Sequence, residues 1–279
     1  MDATGAALSV SGVGMKVNHG RWLFRDLSVD LGPGEIVRVM GTAGSGVSTL
    51  LQVLAGVRLP TRGTVRHRAP SIGYIPQGFP ETLALSPAEY LSWVGRVRGM
   101  RPDVREQRIT ELIRRFEISS DAQTKVVGVT GTRSQLANRV AAMQALLDEP
   151  SLLVLDNPWA SPDGHLREVL GEEILELAGK GCLILYSGFA PSVRPTKYLS
   201  LTGGRLRSFE HNPEDEGEPH VRFELTGVGP EFAGQNGVIS QLKHPRGGLV
   251  LTVERGHSDE LLARVLASGW SVRRVEPSE

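Results

Sequence analysis

The sequence has few of the features that would place it in several common protein classes. Its 279 residues include one cysteine, Cys182, which predicts neither a disulfide framework nor a cysteine-based metal centre. Its 31 basic and 31 acidic residues balance, so there is no net charge to attract nucleic acid or an anionic membrane. No segment approaches about 18 consecutive apolar residues, the length of a membrane helix.

The N-terminal segment also lacks a basic region followed by a long apolar stretch, so we expect no signal peptide. A cytoplasmic protein is therefore expected, with any membrane contact made through a partner. The seven histidines show no metal-like spacing, and we expect His67, His211 and His220 to be solvated.

What the chain does contain is a regular alternation of strand-like and helix-like segments. The runs "IVRVM", "LLVLD" and "CLILYS" predict short buried strands, and amphipathic stretches between them predict helices, two of which fall within residues 87–117. Strands that alternate with helices indicate an α/β fold with a mainly parallel sheet. The early segments "ALSVSGVGM" and "RWLFRDLSVDLG" predict antiparallel additions to it.

Composition divides the chain into two predicted domains. Residues 1–209 carry the α/β pattern, and residues 210–220, "EHNPEDEGEPH", are acidic, contain proline and glycine, and predict a linker. Residues 221–279 predict a small α+β domain with several strands and one helix.

A glycine-rich stretch, "GTAGSGVST", joins a predicted strand to a predicted helix. Its glycines allow successive backbone N–H groups to turn inward around an anion, and the following helix directs its free N–H groups to the same point. An ordinary tight turn is the alternative for such a stretch considered alone. The candidate nucleotide-binding residues are Gly41, Gly44, Ser45, Gly46, Val47, Ser48 and Thr49.

Val47 occupies the position where phosphate-binding loops carry a lysine. A lysine there reaches the β- and γ-phosphates, whereas valine has neither charge nor donor. The backbone is still suited to weak nucleotide binding, but efficient phosphoryl transfer is not expected without that positive charge.

The order of the later segments extends the pattern beyond one loop. "IGYIPQ" precedes "RVAAMQALLDEPSLLVLDNP", and together with the glycine-rich loop this order resembles the nucleotide-binding subunits of ATP-binding-cassette (ABC) transporters over about residues 5–209. The C-terminal segment ending "SGWSVRRVEPSE" resembles the appendix domain of exporter-type ATPases. The resemblance implies a P-loop NTPase-type cassette domain with a helical subdomain, followed by the small α+β domain.

The resemblance implies that the magnesium-binding positions are filled. Ser48 would offer its hydroxyl to magnesium, Gln77 would sense magnesium and the transport partner, and Asp156 would hold magnesium through water. ATP with magnesium is accordingly the cofactor that the resemblance implies, if nucleotide binds.

The catalytic positions implied by the same resemblance are degenerate. Besides Val47, Asn157 stands where the family has a glutamate that acts as general base, and an amide cannot accept that proton at neutral pH. Gly188 stands where the family has a histidine that contacts the γ-phosphate. Glu149, in "LDEP", is a nearby carboxylate that we interpret as a surface turn residue.

Other family positions also depart from the pattern. The family's signature opens a helix with two glycines, and the matching residues here contain neither: Thr132, Arg133, Ser134, Gln135 and Leu136. Ser134 is then a candidate helix cap. Asn18 aligns with the aromatic residue that stacks on adenine, and His19 is beside it. The pattern that contacts the partner subunit is retained at Ser161 and Asp163.

Several side chains outside these positions carry predictions of their own. Tyr90 and Trp93 lie on one predicted helix, where they either pack in the core or line the groove in which a transporter helix docks. Arg114 and Arg115 are predicted on a solvated helix face rather than at a nucleic-acid site. Cys182, with its apolar flanks, is predicted to be packing material.

Three hypotheses for function remain open. The leading one is a catalytically degenerate cassette subunit that is a scaffold or regulator, pairs with a second cassette subunit and docks under an integral membrane permease on the cytoplasmic face. The second is a slow ATPase or ATP-binding switch that uses Ser48 and Asp156, with a lysine such as Lys16 replacing the missing charge. The third is an interaction module unrelated to transport. No nucleic-acid partner is expected.

Overall fold

The structure is a computed structural model in which the chain forms two compact units, Met1–Glu210 and His211–Glu279. The residues it describes are 5–17, 20–68, 70–78, 85–122, 132–161, 163–190, 192–212, 220–227, 229–232, 238–244, 247–254 and 258–277. The predicted linker lies largely outside the described residues.

The first unit contains two sheets. Their strands are β1 (Leu8–Lys16), β2 (Trp22–Leu31), β3 (Ile36–Met40), β4 (Arg62–His67), β5 (Ile72–Ile75), β6 (Leu152–Leu155), β7 (Leu183–Ser187), β8 (Lys197–Thr202) and β9 (Arg205–Phe209). Six strands form one sheet in the order β5-β6-β7-β3-β8-β9, in which only the β8–β9 pair is antiparallel. Strands β2-β1-β4 form an antiparallel sheet. The predicted α/β fold with antiparallel N-terminal strands is therefore confirmed.

The described residues of this unit contain five α-helices. They are α1 (Val47–Leu54), α2 (Pro87–Val97), α3 (Pro102–Arg115), α4 (Thr132–Leu146) and α5 (Gly164–Gly179). Helix α2 begins with a capping box: the Ser86 Oγ accepts from the Glu89 N–H at 3.3 Å, and the Glu89 carboxylate accepts from the Ser86 N–H at 2.9 Å. Among the described residues, no helix has the length and apolar content needed to span a membrane.

The central strands are buried on both faces, which explains why they are continuous apolar runs rather than alternating ones. In β6, Leu153 and Leu155 pack in one core cluster with helices α2 to α5, whereas Leu152 and Val154 pack in the other cluster with α1 and the antiparallel sheet. The glycine-rich loop and the helical subdomain are thus attached to opposite faces of the same strands.

The second unit is a four-stranded antiparallel sheet with one helix. Its elements are β10 (His220–Thr226), β11 (Val238–Lys243), β12 (Leu249–Glu254), α6 (Ser258–Ala267) and β13 (Ser271–Pro277), with strand order β11-β12-β10-β13. Its core contains Phe223, Leu251 and Trp270, and the Trp270 indole N–H donates to the Pro230 carbonyl at 3.1 Å.

Candidate functional site

The glycine-rich loop follows β3 and leads directly into α1. Gly44 and Gly46 have left-handed φ angles of 80° and 101°, and a Cβ at Gly46 would lie 2.7 Å from Leu23 Cδ2. The loop is closed by the Ser45 N–H, which donates to the Thr42 carbonyl at 3.0 Å. This backbone conformation is the one that glycine permits at low cost, as the sequence predicts.

Val47 is the first residue of α1, and it packs against the apolar cluster that α1 shares with the antiparallel sheet. Its side chain therefore has a packing role in this chain. The Ser45 Oγ is buried without a hydrogen-bond partner, so the loop retains a hydroxyl that can bind a ligand or water.

Asp156 follows β6 and collects hydroxyl donors from two other segments. The Ser48 Oγ donates to the Asp156 Oδ1 at 3.1 Å, and the Ser187 Oγ donates to the same oxygen at 2.9 Å. The Asp156 side chain is buried, and its N–H donates to the Ile75 carbonyl at 2.9 Å. Ser48 and Asp156 are thus brought together as predicted, in an arrangement of oxygens that suits magnesium.

Asn157 and Gly188 lie side by side at the ends of β6 and β7. Asn157 has a left-handed φ of 51° and its N–H donates to the Ser187 Oγ at 2.9 Å. Gly188 has a φ of 86°, and a Cβ at this residue would overlap the Oδ1 of Asn157. The Arg38 Nε donates to the Gly188 carbonyl at 2.9 Å. Arg38 and Ser187 were not predicted as site residues. An arginine between buried valines in "IVRVM" was the available sequence signal for Arg38.

Gln77 is exposed just after β5. With Asn138, Asn157 and Ser161 it lines a cavity of about 240 Å³ between the strand ends and α4. The polar atoms contributed by these four side chains are amides and a hydroxyl. This part of the site can therefore hydrogen-bond a ligand, but these residues bring no charge to it.

A larger cleft, of about 620 Å³, lies between the glycine-rich loop and the start of β2. Arg21, Trp22 and Arg25 line it together with Gly44 and the β8–β9 turn at Gly204. The volume is in the range of small-molecule sites.

Lys16 was the lysine considered as a replacement for the missing charge. Its Nζ lies 4.8 Å from the centroid of the Trp22 ring, a cation–π distance, and Trp22 is one wall of the larger cleft. Lys16 is thus near the cleft wall, although Trp22 is the partner that the structure gives it.

Ser161 and Asp163, which are predicted at a subunit contact, make hydrogen bonds within this chain. Asp163 accepts from the Arg139 Nε and Nη2 at 2.6 and 3.0 Å, and it caps α5 by accepting from the Leu166 N–H at 3.2 Å. Burial alone raises the pKa of Asp163, but the Arg139 hydrogen bond and the Leu166 N–H outweigh it and hold the pKa below its usual value. The Ser161 Oγ accepts from the Asp163 N–H at 3.3 Å. Their role in a subunit contact stays a prediction.

The signature-like residues begin α4, as expected. Gln135 and Leu136 are half-buried, and Leu136 packs against the cluster formed by the helical subdomain. The side chains of Thr132, Arg133 and Ser134 lie outside the described residues, as do Asn18 and His19. The predicted cap at Ser134 is wrong, because α4 begins at Thr132 and Ser134 lies inside the helix rather than before it. The adenine contact at Asn18 stays a prediction.

Three predictions about single side chains are confirmed. Glu149 is exposed, with a left-handed φ of 46° in the turn after α4, so it is a surface turn residue. Cys182 is buried in the core, and burial raises its pKa to about 12. His211 is exposed, while the side chain of His220 lies outside the described residues.

Two predictions are wrong because they considered local sequence alone. His67 is half-buried, with its Nε2 2.7 Å from the Leu54 carbonyl at the end of α1, rather than solvated. Arg115 does not lie on a solvated face: its Nε is 2.7 Å from a carboxylate oxygen of the buried Glu173 on α5. Arg114 is exposed, as predicted.

Core packing and a docking groove were the two alternatives for Tyr90 and Trp93 on α2, and the structure gives the two residues different environments. Trp93 is 51% exposed, which excludes a core role for it. Tyr90 is half-buried, and its hydroxyl donates to the Gln144 Oε1 on α4.

The glycine-rich loop and the parallel strand order define a P-loop nucleotide-binding fold. Similarity to known proteins identifies the family within this fold. The family model described as ABC transporter matches residues 24–160. The lipoprotein-releasing system ATP-binding protein LolD of Pseudomonas syringae pv. tomato is 31% identical over 204 residues, which cover 64% of this chain and 86% of that protein. The chain belongs to the ABC transporter family, as an ATP-binding cassette.

Two further likenesses agree with this assignment. The zinc import ATP-binding protein ZnuC of Yersinia enterocolitica is 32% identical over 169 residues, 59% of this chain, and the match spans 63% of that protein's length. A dimeric ATP-binding cassette solved in a post-hydrolysis state with ADP and Pi has a TM-score of 0.60 and 21% identity, covering 73% of this chain and 98% of that one. The second likeness concerns the fold alone.

Proposed function

We propose that this cassette subunit no longer hydrolyses ATP and is a scaffold or regulator in a membrane transport or export complex. The observation that carries the proposal is Asn157. It occupies the position next to the buried Asp156, where an amide cannot take a proton from attacking water. Val47 removes the charge from the phosphate loop, and Gly188 removes the contact to the γ-phosphate.

If ATP and magnesium bind, the loop from Gly41 to Thr49 would hold the phosphates and Ser48 and Asp156 would hold the metal. Bound magnesium would supply charge neutralisation at the phosphates. The fit is partial, because the backbone cradle and the Ser48–Asp156 pair are present while the lysine is not.

The complex we propose contains a second cassette subunit, of the same or another kind, and an integral membrane permease. Exposed apolar side chains on the helical subdomain support docking there: Trp93, Val97 and Val104. The second unit, a separate α+β sheet, supports an exporter-type subunit with a C-terminal appendix. The location that follows is the cytoplasmic face of the membrane.

A second candidate is an ATP-binding switch or a slow ATPase. The hydrogen bond between Ser48 and Asp156 favours it, because the pair is already assembled as magnesium would require. The unpartnered Ser45 hydroxyl in the same loop also favours a bound ligand. Family membership disfavours the third hypothesis, a module unrelated to transport.

Calorimetry with magnesium-ATP, on the wild type and on Val47→Lys, distinguishes these candidates. The scaffold proposal expects no binding by the wild type at cellular ATP concentrations. It expects about 10- to 100-fold tighter binding in the variant, because each charge-assisted hydrogen bond contributes about 1.5–3 kcal/mol. We expect neither protein to hydrolyse ATP. Wild-type turnover that is lost in Asp156→Asn would contradict the proposal and establish the second candidate.

A further inference from the structure

The loops after β6 and β7 are joined by a continuous set of hydrogen bonds within this chain. The Ser187 hydroxyl donates to Asp156 at 2.9 Å and accepts from the Asn157 N–H at 2.9 Å. Ser48, at the start of α1, donates to the same carboxylate oxygen at 3.1 Å. Three separate segments are therefore connected through the side chains of Ser48, Asp156 and Ser187.

A steric contact joins the same loops. Both Asn157 and Gly188 have left-handed φ angles, 51° and 86°. A Cβ at Gly188 would overlap the Asn157 Oδ1 and lie 3.2 Å from its Cγ, whereas the Asn157 Cα would be 3.5 Å away. The carboxamide of Asn157 thus occupies the position that the Cβ of any other residue at 188 would take.

Arg38 completes the arrangement from the central strand. It pairs in register with Tyr186 on one side and Tyr198 on the other, so the three side chains extend from the same face of the sheet. The Arg38 Nε donates to the Gly188 carbonyl at 2.9 Å. This bond fixes the backbone of the loop after β7 to β3.

We propose that the two loops are interlocked in one arrangement, with Asn157 and Gly188 as a mutually dependent pair and Arg38 as the residue that positions Gly188. Assigning the locked loops to a nucleotide site rests on the proposed function, but the interlock is a property of the protein without nucleotide. A side chain at residue 188 then requires the Asn157 carboxamide to move or be removed.

A double-mutant cycle tests the dependent pair without any nucleotide. The variants are Gly188→Ala, Asn157→Gly and both together, and the measurement is the midpoint of thermal unfolding. Glycine suits the left-handed φ at residue 157, so Asn157→Gly alone is expected to fold. We expect Gly188→Ala to lower the Tm by about 8 °C in the wild type and by about 4 °C beside Asn157→Gly, where only the backbone strain remains.

Equal losses in the two backgrounds would overturn the dependent pair. A single Gly188→Ala variant that fails to fold while the double variant folds would support it. If neither folds, the dependent pair is overturned, because removing the Asn157 carboxamide should relieve the steric part of the Gly188→Ala effect.

Amide hydrogen exchange tests the role of Arg38. Arg38→Met keeps the apolar stem and removes the donor, whereas Arg38→Lys keeps a donor. We expect peptides that contain residues 186–190 to exchange about tenfold faster in Arg38→Met, close to the wild-type rate in Arg38→Lys, and peptides of the second unit to be unchanged.

Equal exchange in Arg38→Met and the wild type would overturn the positioning role. Faster exchange throughout the chain would also overturn it, since that result indicates a general loss of stability. ATP hydrolysis by the wild type would contradict the proposed function and leave these exchange and unfolding results unaffected, so the two failures are distinguishable.

Discussion

All four residues of β6 are buried and apolar, whereas the character of the chain changes at the next two positions. Leu152 to Leu155 are packed against helices or the antiparallel sheet, and Asp156 and Asn157 then take part in polar contacts at the strand end. The strand packs as a buried strand of an α/β fold is expected to pack, while Asn157 is a polar residue at its end. The comparison separates the residues that pack the core from the polar residues that make contacts at the strand end.

The largest loss of stability is expected from a substitution in β6 rather than in the loop that follows it. Leu155→Ala opens a cavity at a fully buried position, and we expect the free energy of unfolding to fall by about 2–5 kcal/mol. Leu175→Ala, on an α5 residue that is 51% exposed, is the matched control and should stay within about 0.5 kcal/mol. Urea unfolding measures both; similar losses would contradict the comparison.

A smaller effect should follow when the support of the loop after β6 is removed. Asp163→Asn keeps the shape but removes the charge that pairs with Arg139, with an expected loss of about 2–3 kcal/mol at pH 7. Because the folded-state pKa of Asp163 is lowered, its stabilisation is present above the unfolded pKa of about 3.9 and is lost as pH falls through the folded value.

The stability difference between wild type and Asp163→Asn should therefore shrink as pH falls below about 4. Urea midpoints measured between pH 7 and acid conditions test this trend. A difference that does not depend on pH would show that shape, not charge, accounts for the role of Asp163.

The smallest effect on stability is expected at Val47 in the glycine-rich loop. Val47→Lys should cost less than about 1 kcal/mol, since Val47 is only half-buried and a lysine stem can cover apolar surface while its amine reaches solvent. Val53→Lys in the same helix is the control, because Val53 is 1% exposed and a lysine there would bury its charge. Equal destabilisation by Val47→Lys and Val53→Lys would contradict the expected difference between a half-buried and a buried position.

The sequence predicted the elements of the fold well, because the apolar periodicity of each segment is a local property. The strands "LLVL" and "LILYS" and the break between α2 and α3 are examples. The loop geometry around Gly44 and Gly46 was also predictable, since glycine-rich strand-to-helix turns have few alternatives.

The contacts that define the site were less accessible to sequence reasoning. Asn157 and Ser187 are 30 positions apart, and their hydrogen bond depends on β6 and β7 being neighbours in the sheet. Arg115 was misjudged for the same reason, because its partner Glu173 lies on another helix. Periodicity indicates which face of a helix is apolar but not which charge on a second helix will meet it.

The burial of Cys182 has a practical consequence for labelling. Cys182 is the chain's single cysteine, and its pKa of about 12 keeps it a thiol at neutral pH, while thiol reagents react with the thiolate. The folded wild-type protein is thus expected to be unreactive toward such reagents. A cysteine introduced at Phe189, which is 69% exposed beside Gly188, would be labelled alone and would place a spin or fluorescent probe on the loop after β7.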